Sequence, residues 1–520
     1  MDTKALRQKI LDLAIRGKLV PQDPNDEPAS VLLERIHAEK QQMVKDGKLK
    51  PKDIKNDTVI FKGDDNLHYE KFADGSVKCV EDEIPFELPE GWEWTRLGCI
   101  GNWQSGATPS RRHPEYYGGS IPWLKTGDLN DGFINSVSEY ITEEGINNSS
   151  AVLNPVGSVL IAMYGATIGK LGIANIEVTT NQACCACLPI LIINQYLFYF
   201  LMYQKKYFIE KAVGGAQPNI SKKKIVATLF PVPPFREQKK IVSTVNNLLS
   251  KIDSIVKNKN EITNTIITTK SKILDLAIRG KLVPQDPNDE PASALLERIQ
   301  SKKEELIKQG KIKRNKKESV IFKGSDNSYY LRTGELEESL ENWRFNDLPE
   351  TWEICCLGEL CNYGDCINVN TEDITENAWI LDLEDIEKDT GTVLKKVTKA
   401  QRNSVSTKHK FHSGQVLYSK LRPYLNKVVL SDDDGYCTSE ILPLEFKNCV
   451  LPEYARYYLM SGTFIAYANH CSYGVKMPRL GTTDGKKAIF SLPPLSEQKR
   501  IVKTIDSYFM QLNRISEALT

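Results

Sequence analysis

The sequence predicts an α+β protein: two mixed α/β domains joined by a long antiparallel two-helix coiled coil, with a pseudo-twofold internal repeat. Three observations carry this. The chain repeats itself at half its length, an apolar heptad seam recurs in both halves, and the stretches between repeated blocks read as ordinary mixed domains. At 520 residues the chain exceeds what one core accommodates, so several domains are expected.

The repeat comes first, because missing it would misread the whole fold. Residues 10–30 read ILDLAIRGKLVPQDPNDEPAS, and residues 273–293 read the same. Val59-Ile60-Phe61-Lys62-Gly63 returns as Val320-Ile321-Phe322-Lys323-Gly324, and Leu88-Pro89-Glu90-Gly91-Trp92-Glu93 as Leu348-Pro349-Glu350-Thr351-Trp352-Glu353. Pro233-Pro234-Phe235-Arg236-Glu237-Gln238 matches Pro493-Pro494-Leu495-Ser496-Glu497-Gln498. Residues 93–230 and 353–490 share only scattered positions, such as Gly157 with Gly414 and Lys170 with Lys427. A fixed frame thus holds two different inserts, which suggests two separate specificities.

The frame reads as coiled coil. From residue 237 to 276, Ile241, Val245, Leu248, Ile252, Ile255, Ile262, Ile266, Ile273 and Leu276 follow alternating steps of four and three, with Lys259 and Thr269 filling the remaining slots. Pro233-Pro234 precede this helix and Gly280 ends it. The second copy is split by the chain ends. Ile501, Ile505, Tyr508, Leu512, Ile515 and Leu519 match its first part, and Leu6, Ile10 and Leu13 its second. The termini are therefore expected near one another, with two antiparallel helices about a pseudo-twofold axis. A shorter helix follows in each copy, between Pro28 and Gly47 and between Pro291 and Gly310.

Each insert opens with a Pro-Glu-x-Trp lead-in and a short strand, 92–97 or 352–357. β-type runs are expected at 121–125, 158–164 and 172–174 in the first insert, and at 379–383, 416–418 and 427–430 in the second. Helices are expected near 195–211 and 453–462. The resulting division is a helical repeat and connector over 1–90, a first insert domain over 91–234, and the central helix and connector over 235–346. A second insert domain covers 347–490 and a terminal helix 491–520.

Composition excludes more than it identifies. Hydrophobic residues make up 41% and charged residues 26%, as in ordinary globular proteins. The most apolar stretch, 188–202, is interrupted by Pro189, Asn194 and Gln195 and is too short to span a bilayer. The N-terminus lacks an apolar signal core, so a cytoplasmic protein is expected. The 12 cysteines cluster without a disulfide framework and read as reduced thiols; Cys356, Cys361 and Cys366 fit no zinc spacing. The net charge of +1 is a mild argument against nucleic-acid binding, although local patches matter more than the sum.

No catalytic constellation is legible. The sequence holds no Asn-Pro-Pro-aromatic tetrapeptide, as adenine amino-methylation would need. The run from Gly165 to Leu171 resembles a P-loop but is one residue short and lacks the magnesium-holding hydroxyl. No paired-histidine motif points to a catalytic metal. No catalytic residue, metal or cofactor is therefore assigned to this chain.

Two different α/β inserts on a repeated coiled-coil frame resemble the specificity subunit of type I restriction–modification systems, over essentially the whole chain. The telling segments are Gly215-Ala216-Gln217-Pro218-Asn219-Ile220-Ser221 ahead of Pro231-Val232-Pro233-Pro234-Phe235-Arg236-Glu237-Gln238, and Val475-Lys476-Met477-Pro478-Arg479-Leu480 ahead of Leu492-Pro493-Pro494-Leu495-Ser496-Glu497-Gln498. Ser105-Gly106-Ala107-Thr108-Pro109-Ser110 and Thr438-Ser439-Glu440 are similar to parts of that family's target-recognition domains. The resemblance implies a subunit that performs no chemistry and binds double-stranded DNA. It also implies two modification subunits carrying S-adenosylmethionine and two restriction subunits using ATP and magnesium.

Sequence reading needs donors and acceptors at base edges, with basic groups on phosphates. In the first insert this favours Thr108, Ser110, Arg111, Arg112, Lys125, Tyr164, Lys170, Asn181, Gln182, Gln217 and Asn219 as DNA-binding residues. In the second it favours Lys420, Arg422, Tyr424, Lys427, Ser439, Glu440, Lys476 and Arg479. Gly106, Gly165, Gly214 and Gly215 read as loop-shaping. Two other readings stay open: a fused methyltransferase or nuclease with unrecognised motifs, and a coiled-coil scaffold that binds no DNA.

Overall fold

The computed structural model describes residues 2–212, 219–311, 319–326, 328–340, 348–402 and 405–519. The chain divides into two units, Met1–Asn258 and Lys259–Thr520. The helix Phe235–Ala277 contributes its first part to one unit and its second part to the other.

In the first unit the N-terminal helix Thr3–Ile15 starts at Asp2, whose carboxylate caps the amides of Lys4 and Ala5. The chain then turns at Gly17, φ 65°, where a Cβ would stand 2.3 Å from Pro89 Cγ; glycine serves both the left-handed turn and the close approach. The connector helix Ala29–Lys45 buries Leu32, Ile36 and Lys40. A buried ammonium needs partners, and Lys40 has them: Asp57 at 2.7 Å and the carbonyls of Gly98 and Cys99.

Thirteen strands follow in chain order: β1 Val59–Lys62, β2 His68–Lys71, β3 Val77–Cys79, β4 Glu93–Arg96, β5 Gly101–Ser105, β6 Tyr117–Leu124, β7 Gly132–Ile134, β8 Tyr140–Ile141, β9 Val159–Ala162, β10 Leu171–Ala174, β11 Thr179–Thr180, β12 Cys184–Pro189 and β13 Leu229–Val232. β1–β3 form a meander, and β4 pairs with β13. The insert proper is a sheet of order β5-β12-β9-β10-β7 beside a smaller one of order β11-β6-β8. Its core joins Trp103, Val159, Ile161 and Cys185 to the helix Asn194–Glu210, which buries seven side chains including Tyr196 and Phe200, and to Ile241 and Val245 of the long helix.

The second unit repeats the plan with β14 Ser319–Lys323, β15 Tyr329–Thr333, β16 Leu336–Ser339, β17 Glu353–Cys356, β18 Ile367–Val369, β19 Ile380–Leu381, β20 Lys408–Phe411, β21 Val416–Ser419, β22 Val428–Leu430, β23 Gly435–Thr438, β24 Ile441–Leu444 and β25 Ile489–Leu492. β14–β16 form the meander and β17 pairs with β25, but the insert sheets are ordered β18-β20-β23-β19 and β22-β21-β24. The expected helix over 453–462 is two helices, Pro452–Leu459 and Gly462–His470. The break falls at buried Ser461, whose extended backbone starts the second helix and whose hydroxyl accepts from Phe464 N–H.

Within each unit a terminal helix runs antiparallel to part of the long one. Arg7 meets Asp253 while Gln22 reaches Glu237; Lys270 donates to Asn513 at 2.6 Å while Gln285 reaches Glu497. The expected seam is unevenly covered. Ile10, Ile241, Val245, Ile252, Ile266, Ile501 and Ile505 are buried, whereas Leu248, Leu13, Ile273, Leu276, Leu512 and Leu519 are half-buried. Leu6, Ile255, Ile262, Tyr508 and Ile515 are exposed. The deepest positions of the repeated helix segment are instead Ala14 and Ile15, and Ala277 and Ile278, because they pack into the insert cores.

Candidate nucleic-acid interface

In the first unit the carboxyl ends of β5 and β9 meet the amino ends of β10 and β12. The register pairs Ser105 with Cys185, Ala162 with Cys184, and Ile161 with Leu171. Backbone bonds draw the neighbouring loops to the same place: Ala107 N–H to Thr180 O at 2.9 Å, Asn181 N–H to Leu124 O at 3.0 Å, and Met163 N–H to Ala183 O at 2.8 Å. A Cβ at Gly106 would sit 2.2 Å from Thr180 O, so this convergence requires glycine.

The geometry gathers the residues that the sequence scatters over more than a hundred positions. The Thr108 hydroxyl donates to Gln182. Tyr164 pairs by backbone with exposed Asn219, and Ala162 N–H donates to Lys170 O. Ser110 and Arg112 are exposed on the loop that follows Thr108. Arg111 lies over the Tyr117 ring at 4.0 Å and forks onto Glu139, which Lys125 also reaches at 3.1 Å. The Arg111 guanidinium first, and then Lys125, hold the Glu139 carboxyl down at about 2, against the opposing pull of partial burial. Tyr117 and Glu139 carry no local signal in the sequence, since only the β6–β8 pairing brings them under Arg111. Gln217, Gly214 and Gly215 lie outside the described residues.

The second unit builds the corresponding end from β21, β22 and β24, with Ser419 opposite Ile441 and Tyr418 opposite Val428. Lys420 N–H donates to Glu440 O, Leu480 N–H to Lys420 O, and Arg422 N–H to Pro478 O at 2.7 Å. Arg479 engages the Glu440 carboxylate through Nε and Nη2 at 2.8–3.1 Å. Ser439, Lys476 and Tyr424 are exposed around this cluster. Lys427 points elsewhere: its ammonium donates to Leu383 O at 2.5 Å, and burial lowers its pKa, so it fixes a loop. Tyr473, which the sequence did not single out, brackets Arg479 through two backbone bonds and is 61% exposed.

One loop shows the correspondence residue by residue. Between β9 and β10 the chain turns through Gly165 at φ 78° and Gly169 at φ 75°, with the single 3-10 turn Gly165–Thr167 starting at the first of them. Between β21 and β22 it turns through Arg422 at φ 50° and Asn426 at φ 48°, flanking the turn Pro423–Leu425. The P-loop-like run of the sequence therefore lies in the loop between adjacent antiparallel strands and ends on the first residue of β10.

A joint built identically in both units carries these ends. Buried Glu237 accepts from Trp92 Nε1 at 2.9 Å and from Gln22; buried Glu497 accepts from Trp352 Nε1 at 2.9 Å and from Gln285 at 2.6 Å. The adjacent Gln238 and Gln498 accept from the amides of Ile193 and Leu451 and donate to Pro233 O and Pro493 O. Burial raises the pKa of both glutamates.

Two alike domains that gather unlike polar and basic side chains at one sheet end define a sequence-reading DNA-binding protein. The model of the type I restriction modification DNA specificity domain matches residues 89–264 and 349–520, and the chain belongs to that family as a specificity subunit. It is 28% identical to the EcoAI specificity subunit of Escherichia coli, over 98% of this chain and 90% of that protein. It is 26% identical to the Escherichia coli EcoEI specificity subunit, over 99% of this chain and 90% of the relative. Its fold is similar, at TM-score 0.53 and 17% identity, to a chain from a structure of a type I R-M system, over 84% of this chain and 94% of that one. Specificity subunits are non-catalytic, and the restriction and modification activities sit in partner subunits. Among the described residues no helix is long and apolar enough to cross a membrane.

Proposed function

We propose that the two recognition domains read the halves of an asymmetric, two-part DNA site, and that the paired helices of the frame set the gap between them. The observation that carries this is the repeated joint. Trp92–Glu237 and Trp352–Glu497 hold the same frame against inserts whose exposed side chains differ. Within this reading residues 91–234 and 347–490 are the recognition domains. The side chains named in the two sheet-end clusters supply base and phosphate contacts. The seam from Ile241 to Leu276, completed by Leu6 to Leu13 and Ile501 to Leu519, acts as the spacer.

In a cytoplasmic assembly two modification subunits with S-adenosylmethionine methylate adenine. Two restriction subunits use ATP and magnesium. This chain supplies neither chemistry and holds no cofactor.

The test is a genome-wide map of methylated adenines in a host with and without this chain. The expected result is a two-part asymmetric motif that vanishes with the chain; methylation confined to one uninterrupted motif overturns the reading. Lengthening both helices by one turn moves the halves apart by about 5 Å, so the mapped gap should grow by about one to two base pairs.

A further inference from the structure

Of the two left-handed corners at the β21–β22 turn, one is held by Asn426, which tolerates it, and the other by an arginine, which is poorly suited to it. Arg422 has φ 50° and ψ 64°, a conformation that ordinary side chains disfavour and glycine adopts freely. The equivalent corner of the first unit is Gly165, at φ 78°, where a Cβ would meet nothing within 4 Å. The turn therefore forms without a side chain at this corner, and the fold gives no reason for the arginine. Strain retained in such a place is a mark of function.

The side chain is also under-used. Its Nε is buried with no hydrogen-bond partner among the described residues, and Nη2 reaches only Lys476 O, at a long 3.5 Å. Its main chain is nevertheless fixed, by the bond from Arg422 N–H to Pro478 O at 2.7 Å. Glu440, the carboxylate of this cluster, is engaged by Arg479. The surroundings, Lys420 and Lys476, are basic. A guanidinium with idle donors, carried on a fixed main chain in a basic surface, fits an acceptor pair on DNA.

We propose that Arg422 is a specificity-determining residue that reads a guanine of the half-site recognised by the second domain, through the fork that matches guanine O6 and N7. The first domain, with Gly165 at the same corner, lacks this reader. The inference rests on the two-part reading above and adds a base to it.

The experiment uses the full chain with its modification partners and maps methylated adenines for wild type, Arg422→Gly and Arg422→Lys. Glycine suits the corner, so Arg422→Gly should melt no lower than wild type while one guanine position in one half-site relaxes by about 10- to 100-fold and the other half-site stays intact. Arg422→Lys keeps the charge without the fork and should relax the same position. If Arg422→Gly is poorly folded, Arg422→Asn, which tolerates the corner, takes its place. The proposal is overturned if no guanine position relaxes, if Arg422→Lys retains full discrimination, or if binding weakens evenly across sequences with a shallower salt dependence, as loss of a phosphate contact would give. A wild-type motif that is not two-part overturns the underlying reading instead.

Discussion

The joints and the reading ends of the two units have followed opposite rules. At the joints, residue identity and geometry are both kept: Gly17 and Gly280 each leave less than 2.5 Å between an added Cβ and a proline ring, and each indole donates 2.9 Å to its glutamate. At the reading ends the backbone path is kept and the side chains are not. The turn after β9 has glycine at both left-handed corners, the turn after β21 has arginine and asparagine. The sheets beneath differ too, five- and three-stranded in one insert against four- and three-stranded in the other. The contrast shows where the family's chemistry is free to change. A joint buried in a packed core admits few solutions, while a solvent-facing turn tolerates any residue whose backbone cost the domain can absorb.

The sharpest way to break this comparison is at the joints, where equal effects are expected. Trp92→Ala and Trp352→Ala each empty a buried indole site and leave a buried glutamate without its donor, costing about 3–5 kcal/mol in the affected unit. Two units need not unfold together, so peptide-resolved hydrogen exchange is the measurement. Loss of protection should be confined to residues 1–258 for Trp92→Ala and to 259–520 for Trp352→Ala, and be of similar size. A large effect at one tryptophan and a negligible one at the other would end the claim that the joints are equivalent.

A smaller effect sharpens the other half of the comparison. Gly165→Ala meets no atom, so its whole penalty is the left-handed backbone, about 1 kcal/mol in melting experiments. Gly165→Asn should recover most of it, as Asn426 shows that the second unit accepts asparagine at such a corner. Equal losses for alanine and asparagine would mean that this corner is limited by space after all.

The joints were legible in the sequence as a repeat: Gly17, Trp92 and Glu237 recur as Gly280, Trp352 and Glu497, and make the same contacts in each unit. Strands such as β9 and β21 announced themselves as unbroken apolar runs buried on both faces. The meanders did not, since β2 (HYEK) and β16 (LEES) are polar and lie partly in solvent. The corners at Arg422 and Asn426 were equally silent, because a left-handed turn without glycine has no compositional mark. The parallel pairings of β6 with β11 and β19 with β23 join segments far apart in the chain and follow from packing alone. At the two sheet ends the pairing of Arg111 with Glu139 and of Arg479 with Glu440 was not legible, because it joins residues that only the fold brings together.

The smallest expected effect is a change in pH dependence, and it separates joint from reading end by sign. Burial raises the pKa of Glu237 and Glu497 in the folded chain. A raised folded pKa contributes stability that is fully present below the unfolded value, about 4.3, and is lost as pH rises through the folded one. Glu139 is the opposite case: Arg111 and Lys125 hold it down at about 2, so its contribution is present above the unfolded value and is lost as pH falls through about 2. As pH falls toward about 4.3 the joints should therefore make the protein more stable, alongside Asp57, Glu93 and Glu353, whose pKa values burial also raises. Glu237→Gln with Glu497→Gln keeps an acceptor for each indole, costs about 1 kcal/mol per site in rearranged hydrogen bonds, and should weaken that rise. Arg111→Gln should leave that rise unchanged and move the acid limb upward instead. Denaturant titrations at stepped pH measure both, and an unaltered slope in the double glutamine variant would mean that the buried carboxylates do not titrate where the joint's burial places them.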